Sequence, residues 1–314
     1  MATQAPAQRR SPAEEAVYRS LHGRRLDLGS IWFQALLLGS LIVVIGVLVS
    51  LIADVVQRGA PIFAERGLDF LTGNLSSRPE SAGVRQGIVG SLLLVGMVIL
   101  LAFPIGIGAG IYLEEYARDT RLTRLLNASV RNLAGVPAIV YGLLGLSIFV
   151  VALSPLTGGR SVIAGGLTLA VLVMPIVIIT TAEALRAVPR SIREAGYGVG
   201  ATKWEVTRHH VLPYAAPGIL TGSILTLSRA FGETAPLILA GAVLGGFATA
   251  PGKSAIEELQ GPYTALPTIV FNWARQPSDE FRALTAAAII VLLVIMLLLN
   301  AVAIILRSRF ERNW

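Results

Sequence analysis

Long runs without a single charged side chain alternate with short basic segments along this chain. The runs cover Ile31–Ala53, Gln86–Leu113, Asn132–Gly159, Ser161–Ala182, His209–Ser228 and Ala283–Leu306. A helix that crosses a bilayer needs about 20 apolar residues at a rise of about 1.5 Å each, so every run predicts a membrane-spanning helix. The expected fold class is all-α integral membrane, with six transmembrane helices. A further apolar stretch, Thr234–Gly252, follows the fifth run and is read as that helix continuing, because only Arg229 and Glu233 interrupt it. Pro217 and Pro236 leave its ends ambiguous and a broken helix open.

Six spans place both termini on one side. Of the 26 Lys and Arg residues, 17 lie in the tails and in the segments around 118–131 and 186–208, 8 lie in the opposite loops, and Arg229 sits inside a span. The positive-inside rule therefore puts both termini in the cytoplasm. The first run begins only after a polar, basic stretch and lacks a small-residue cleavage site, so it reads as a retained anchor. Residues 1–29 are expected to be a disordered cytoplasmic tail, and 30–314 a transmembrane domain. The outer segments Asp54–Arg85 and Ala248–Phe281 contain Gly, Pro and aromatic residues and are expected to form short surface helices. GxxxG spacings at Gly106/Gly110 and Gly218/Gly222 mark places where helix backbones approach closely.

Composition agrees and excludes other classes. The chain is 54% hydrophobic and 14% charged, against about 25% charged in a soluble domain. Its net charge of +7 would suggest nucleic acid in a soluble protein. Here the basic residues flank membrane spans, so lipid is the expected partner and nucleic acid is not. Without cysteine, disulfides, zinc-thiolate sites and thiol nucleophiles are ruled out. His22, His209 and His210 are too few and wrongly spaced for a multi-histidine metal site.

Gly252-Lys253-Ser254 resembles the end of a nucleotide-binding P-loop, but Phe247 occupies the place of its first glycine, and the segment lies on the outer face. The chain is therefore not expected to be an enzyme or to bind a cofactor. A membrane enzyme would need a nucleophile with its base, or paired carboxylates, within the bilayer. Glu233 is the sole clear intramembrane carboxylate. A membrane scaffold without transport would leave the charges in the fifth span without a role.

The segment 186–213 reads as two short cytoplasmic helices. Ser191 with Glu194 and Thr202 with Glu205 fit the capping-box spacing. Gly196, Gly198 and Gly200 lie between them as turn residues, and Pro213 is expected to close the second helix. Trp204 is placed to act as an exposed aromatic anchor, with Lys203 and Arg208 beside it to meet acidic groups.

Arg229 and Glu233 lie four residues apart in the fifth span. A charge at the bilayer centre costs about 2.5–3.5 kcal/mol, so such a pair either fixes helix packing or faces a hydrated path. Gly222, Thr226 and Pro236 fall on the same face by helical spacing. A guanidinium presents forked donors to an oxyanion. A carboxylate beside it accepts a hydrogen bond from P–OH, which sulfate at neutral pH does not offer. The pair therefore suits hydrogen phosphate.

These strings carry a family resemblance. The 186–213 segment is similar to the EAA loop of bacterial ABC-importer permeases: Glu194 and Ala195 match, Gly200 falls at the loop's glycine, and Leu212-Pro213 match its end. Gly196 departs from the third alanine and His210 from the aliphatic place. The string Arg229-Ala230-Phe231-Gly232-Glu233-Thr234 resembles the fifth-span signature of phosphate-importer permeases. Asn132–Leu146 (NLAGVPAIVYGLLGL) and the C-terminal LNAVAIILRSRFERNW resemble the PstA type rather than PstC.

The resemblance covers residues 30–314. It implies a MetI-like fold in a bacterial inner membrane, with both termini inside. It further implies pairing with a PstC-type permease, two PstB-type ATPases that use the ATP, and an external phosphate-binding protein. ATPase coupling falls to Glu194, Ala195, Gly200, Thr202, Trp204, Leu212 and Pro213, and the substrate path to Arg229, Glu233, Thr226 and Thr234. A permease for another oxyanion, such as molybdate, sulfate or phosphonate, is the alternative.

Overall fold

A computed structural model describes residues 28–242 and 255–310. The stretch 1–27, the Gly-Lys-Ser tripeptide and residues 311–314 lie outside these, and with them most of the expected tail. Among the described residues all regular structure is helical. The main helices are α1 (Leu28–Arg66), α2 (Arg85–Tyr116), α3 (Arg121–Ala134), α4 (Ala138–Ala152) and α5 (Val162–Arg186). They continue as α6 (Arg190–Gly198), α7 (Lys203–Gly232), α8 (Ala235–Leu239), α9 (Leu266–Ala274) and α10 (Asp279–Phe310). Five of them (α1, α2, α5, α7 and α10) are long and apolar enough to cross a membrane; α3 and α4, bent by 100°, supply a sixth when counted as one span.

The chain divides into two compact units, Met1–Asp54 and Val55–Trp314. The described part of the first is the start of α1, whose Leu, Ile and Val side chains are exposed throughout. In water such a helix would be insoluble; hydrocarbon is the environment that suits it.

Within the second unit α5 is the central helix, and small residues let two neighbours close on it. On α2, a Cβ at Gly106 would lie 2.8 Å from Val177 and one at Gly110 2.8 Å from Thr181. On α7, a Cβ at Gly218 would lie 2.9 Å from Ala184 and one at Gly222 2.5 Å from Thr180. Both GxxxG pairs thus seat their helices on neighbouring faces of α5, about 60° apart, with the close approach that the spacing predicted. In a bilayer, where burial of apolar surface drives little association, this close packing holds helices together.

Three expectations about the spans change. The third span is not one straight helix from Asn132. Gly135 and Pro137 interrupt it, Pro137 taking φ −57° and ψ 137° as the residue before α4, and proline also drives its predecessor out of helical conformation. The basic residues Arg121, Arg124 and Arg131 therefore ride on the separate amphipathic helix α3, whose N-terminus Thr120 caps by accepting from the Thr123 amide at 3.2 Å. Tyr141 is buried and ties the bend together, its hydroxyl donating to the Leu133 carbonyl at 2.9 Å.

The fifth span does not continue through Thr234 either. Its helix stops at Gly232, Glu233 is extended (φ −74°, ψ 122°), and α8 starts afresh with Pro236 in its second position. Proline suits a helix start because its missing N–H has no partner there anyway. The rest of the expected continuation, 243–252, lies outside the described residues. Nor does Pro213 close a helix: α7 runs through it from Lys203 to Gly232. A widened turn with i→i+5 bonding at Thr207–Val211 immediately precedes it, so the regular ladder is already interrupted where proline withholds its donor.

The two segments expected on the outer face do form short helices, but parts of them are core rather than surface. Phe70, Ala82 and Val84 are fully buried near the short helix Asp69–Thr72, and Tyr263, Leu266, Ile269 and Trp273 are buried in and before α9. The Leu266 amide donates to Ser91 Oγ on α2 at 2.8 Å. Glycines on α2, Gly87 against Ile269 and Gly90 against Thr264, leave the room that lets this outer segment enter.

Candidate functional site

Two regions hold the residues singled out from the sequence. The first is the element made of α6 and the start of α7, expected from the sequence to face the cytoplasm. The Thr202 capping box forms: its hydroxyl accepts from the Glu205 amide at 3.3 Å, and Glu205 Oε2 accepts from the Thr202 amide at 2.8 Å. The Ser191 box does not form. Helix α6 begins after Pro189, which starts the helix by its fixed φ and leaves Ser191 inside the first turn, where it makes no cap bond. Gly200 takes φ +84° with open space around it, a left-handed conformation that L side chains resist. Gly196, by contrast, is a packing residue, buried where a Cβ would lie 2.8 Å from Val206.

This geometry leaves a projecting surface. Glu194, Ala195, Thr202 and Pro213 are exposed, Leu212 is half-buried, and Trp204 is 56% exposed with Val199 at 84%. Arg208 lies over the Trp204 ring at 5.9 Å and Lys203 over the Tyr116 ring at 5.3 Å. An exposed indole braced by a cation is a rigid apolar anchor, the side-chain type that dominates protein interfaces.

Two arginines, Arg193 of this element and Arg186 at the end of α5, hold the C-terminal end of α2 by contacts that sequence reasoning missed. Arg193 Nη2 meets Glu115 Oε1 at 2.6 Å, and Arg186 Nε meets Glu114 Oε2 at 2.8 Å. The signal was present: two adjacent carboxylates close an apolar span. Counting basic residues for orientation passed over them.

The second region is the end of α7. Arg229 Nε and Glu233 Oε1 are 3.2 Å apart, the Arg229 side chain 50% and the Glu233 side chain 18% exposed. The ion pair forms although Glu233 has left the helix. Arg229 belongs to an exposed stripe of α7 with Tyr214, Gly218, Leu225 and Gly232. Thr226 does not share that stripe. It lies about 60° further round, is 1% exposed, and donates its hydroxyl to the Gly222 carbonyl at 2.8 Å. Thr234 is half-buried in the break, its carbonyl accepting from the Ile238 amide at 3.1 Å.

On the flank toward α10, Ser228 Oγ donates to Asn300 Oδ1 at 2.7 Å and Arg307 Nη1 to Thr221 Oγ1 at 3.1 Å. These bonds fix the rotation of α7 about its axis, so Arg229 stays on the open face. A guanidinium and a carboxylate thus meet at a helix break, with the Arg229 side chain half exposed among the described residues; forked guanidinium donors match the geometry of an oxyanion.

Residues 102–313 match the family described as binding-protein-dependent transport system inner membrane component. The chain is 31% identical over 197 residues to the Bacillus subtilis probable ABC transporter permease protein YqgI, covering 62% of this chain and 65% of that one. It is 35% identical over 230 residues to the Yersinia pestis phosphate transport system permease protein PstA, covering 73% and 74%. Among solved structures, a chain of the bacterial alginate ABC transporter superposes with a TM-score of 0.64 at 17% identity, over 91% of this chain and 98% of that one. That likeness concerns the fold.

Proposed function

The chain belongs to the family of binding-protein-dependent transport system inner membrane components, and on that premise we propose that it is the PstA-type half of the membrane channel of a phosphate importer. A PstC-type permease completes the channel, two PstB-type ATPases drive it from the cytoplasm, and an external binding protein delivers phosphate. The relative from Yersinia pestis, named for phosphate transport, supports the substrate. The observation that carries the mechanism is the Arg229–Glu233 pair at the α7 break, held at 3.2 Å on an open helix face.

Phosphate arriving from the outer side exchanges with Glu233 for the forked donors of Arg229, while Glu233 accepts the P–OH proton in a hydrogen bond. Thr234, at the same break, adds a hydroxyl to the path; Thr226 supports it from the packed side. ATP-driven closure of the ATPases moves the Trp204 element, and the two permease halves open alternately.

The test is radiolabelled phosphate uptake in a strain lacking this chain, complemented with the native chain or with Arg229→Ala. Native complementation restores uptake and the variant does not, with sulfate and molybdate failing to compete. Competition by either oxyanion would transfer the assignment to that anion, and full uptake by Arg229→Ala would remove the pair from the mechanism.

A further inference from the structure

We infer that Glu115 and Arg193 form the joint through which displacement of the cytoplasmic element reaches the helices around the path. The inference rests on the ATP-driven reading above and adds a pair of positioning residues to it.

Arg193 lies on α6, yet its side chain turns back into the protein. Four of its five N–H donors are engaged: Nη2 donates to Glu115 Oε1 at 2.6 Å and to the Leu185 carbonyl at 2.9 Å, and Nη1 donates to the Val188 carbonyl at 2.9 Å. Nε reaches Glu115 Oε2 at 3.5 Å. One side chain therefore ties α6 to the end of α2 and to the end of α5. The Glu115 side chain is only 5% and that of Arg193 20% exposed, so water screens the attraction little, and neither charge is stable there without the other.

Neighbouring features give the joint its stiffness. Helix α2 ends in a widened turn at Tyr112–Tyr116, which presents the consecutive residues Glu114 and Glu115 to two different arginines. The second pair, Arg186–Glu114, is more exposed, at 45% and 21%, and serves as an outer brace. Beneath them a small apolar cluster of Leu185, Val188, Val206, Val211, Ala215 and Ile219 seats the element on the bundle, separately from the main core.

A push on Trp204 or Glu194 then has a buried polar route inward. From Arg193 it enters α2 through Glu115 and α5 through its terminal carbonyls. The glycine contacts at Gly106, Gly110, Gly218 and Gly222 pass it on to α7, which carries Arg229. A shared bidentate fork transmits rotation as well as translation, because two parallel bonds resist twisting where one would act as a hinge.

The test uses the complete transporter, with its ATPases and binding protein, in liposomes, and reads phosphate imported per ATP hydrolysed. Glu115→Gln keeps the side chain's shape and removes its charge. The expected result is an assembled complex that still hydrolyses ATP while import per ATP falls by about tenfold. An unchanged ratio in that assembled complex overturns the joint.

The chain has no native cysteine, so a Glu115→Cys, Arg193→Cys pair supplies the only thiols of this chain and can be bridged within it by a short bis-maleimide. Low coupling before bridging and recovery after it is the expected outcome, and it covers the case in which Glu115→Gln does not assemble. Bridging that leaves coupling low also sinks the proposal. A native transporter that hydrolyses ATP without importing phosphate would instead overturn the function proposed above, a different result from any of these.

Discussion

Glu233 sits where two demands meet. It ends α7, with an amide bonded to the Ala230 carbonyl at 3.4 Å, and it also holds Arg229. A glutamine there keeps the size and one acceptor but loses the charge that favours a proton-bearing oxyanion. Charge-assisted hydrogen bonds contribute about 1.5–3 kcal/mol. Glu233→Gln is therefore expected to lower phosphate-over-sulfate discrimination by about tenfold or more, read as the sulfate concentration that halves phosphate uptake; unchanged discrimination would discard the role given to P–OH. Arg229 and Glu233 were legible in the sequence because two charges stand out in an apolar run. Glu115 and Arg193 were not: they lie 78 positions apart, and each alone looks like an ordinary charged residue near a membrane surface.

Helix by helix, the glycines on α2 are not equivalent. A Cβ on Gly106 would overlap Val177, whereas one on Gly96 meets nothing within 4 Å. Gly106→Leu is expected to destabilise the purified protein by about 1–3 kcal/mol, the usual cost of overpacking, while Gly96→Leu leaves its thermal midpoint in detergent nearly unchanged. Equal effects would mean that the α2–α5 approach does not depend on the missing side chain.

Gly200 offers a separate test of backbone conformation. Its surroundings are open and its φ is +84°, so Gly200→Ala adds only left-handed strain, about 1–2 kcal/mol. Faster proteolysis of the 196–204 turn is the expected readout. Spacing alone revealed the GxxxG pairs and the Thr202 cap, because both are local. The Ser191 cap failed because Pro189 set the start of α6 earlier, a competition between two start signals that the motif does not weigh. The breaks at Pro137 and Glu233 were hidden by the apolar runs around them, since a sum of hydropathy carries no record of backbone direction.

For the assembled molecule, the Trp204 element is the proposed docking surface for a cytoplasmic ATPase. Aromatic anchors at interfaces commonly cost about 2 kcal/mol or more when truncated. Trp204→Ala is therefore expected to weaken retention of the ATPase by about thirtyfold, measured as co-purified ATPase against salt, while the isolated chain keeps its thermal stability. Retention equal to the native chain would move the docking surface away from the indole.

At this scale, the two kinds of information separate cleanly. Apolar runs and the asymmetry of basic residues are properties of contiguous sequence, and they were enough to determine an all-helical membrane chain; the EAA-like element was legible only through local motif spacing and its resemblance to a known loop. Burial of Tyr263 and Trp273, the division of Thr226 from Arg229, and the fork between Arg193 and Glu115 were decided only by tertiary structure. Each depends on which distant segments approach, and that is set by where glycines let backbones close and prolines turn the chain, not by the polarity of any one stretch.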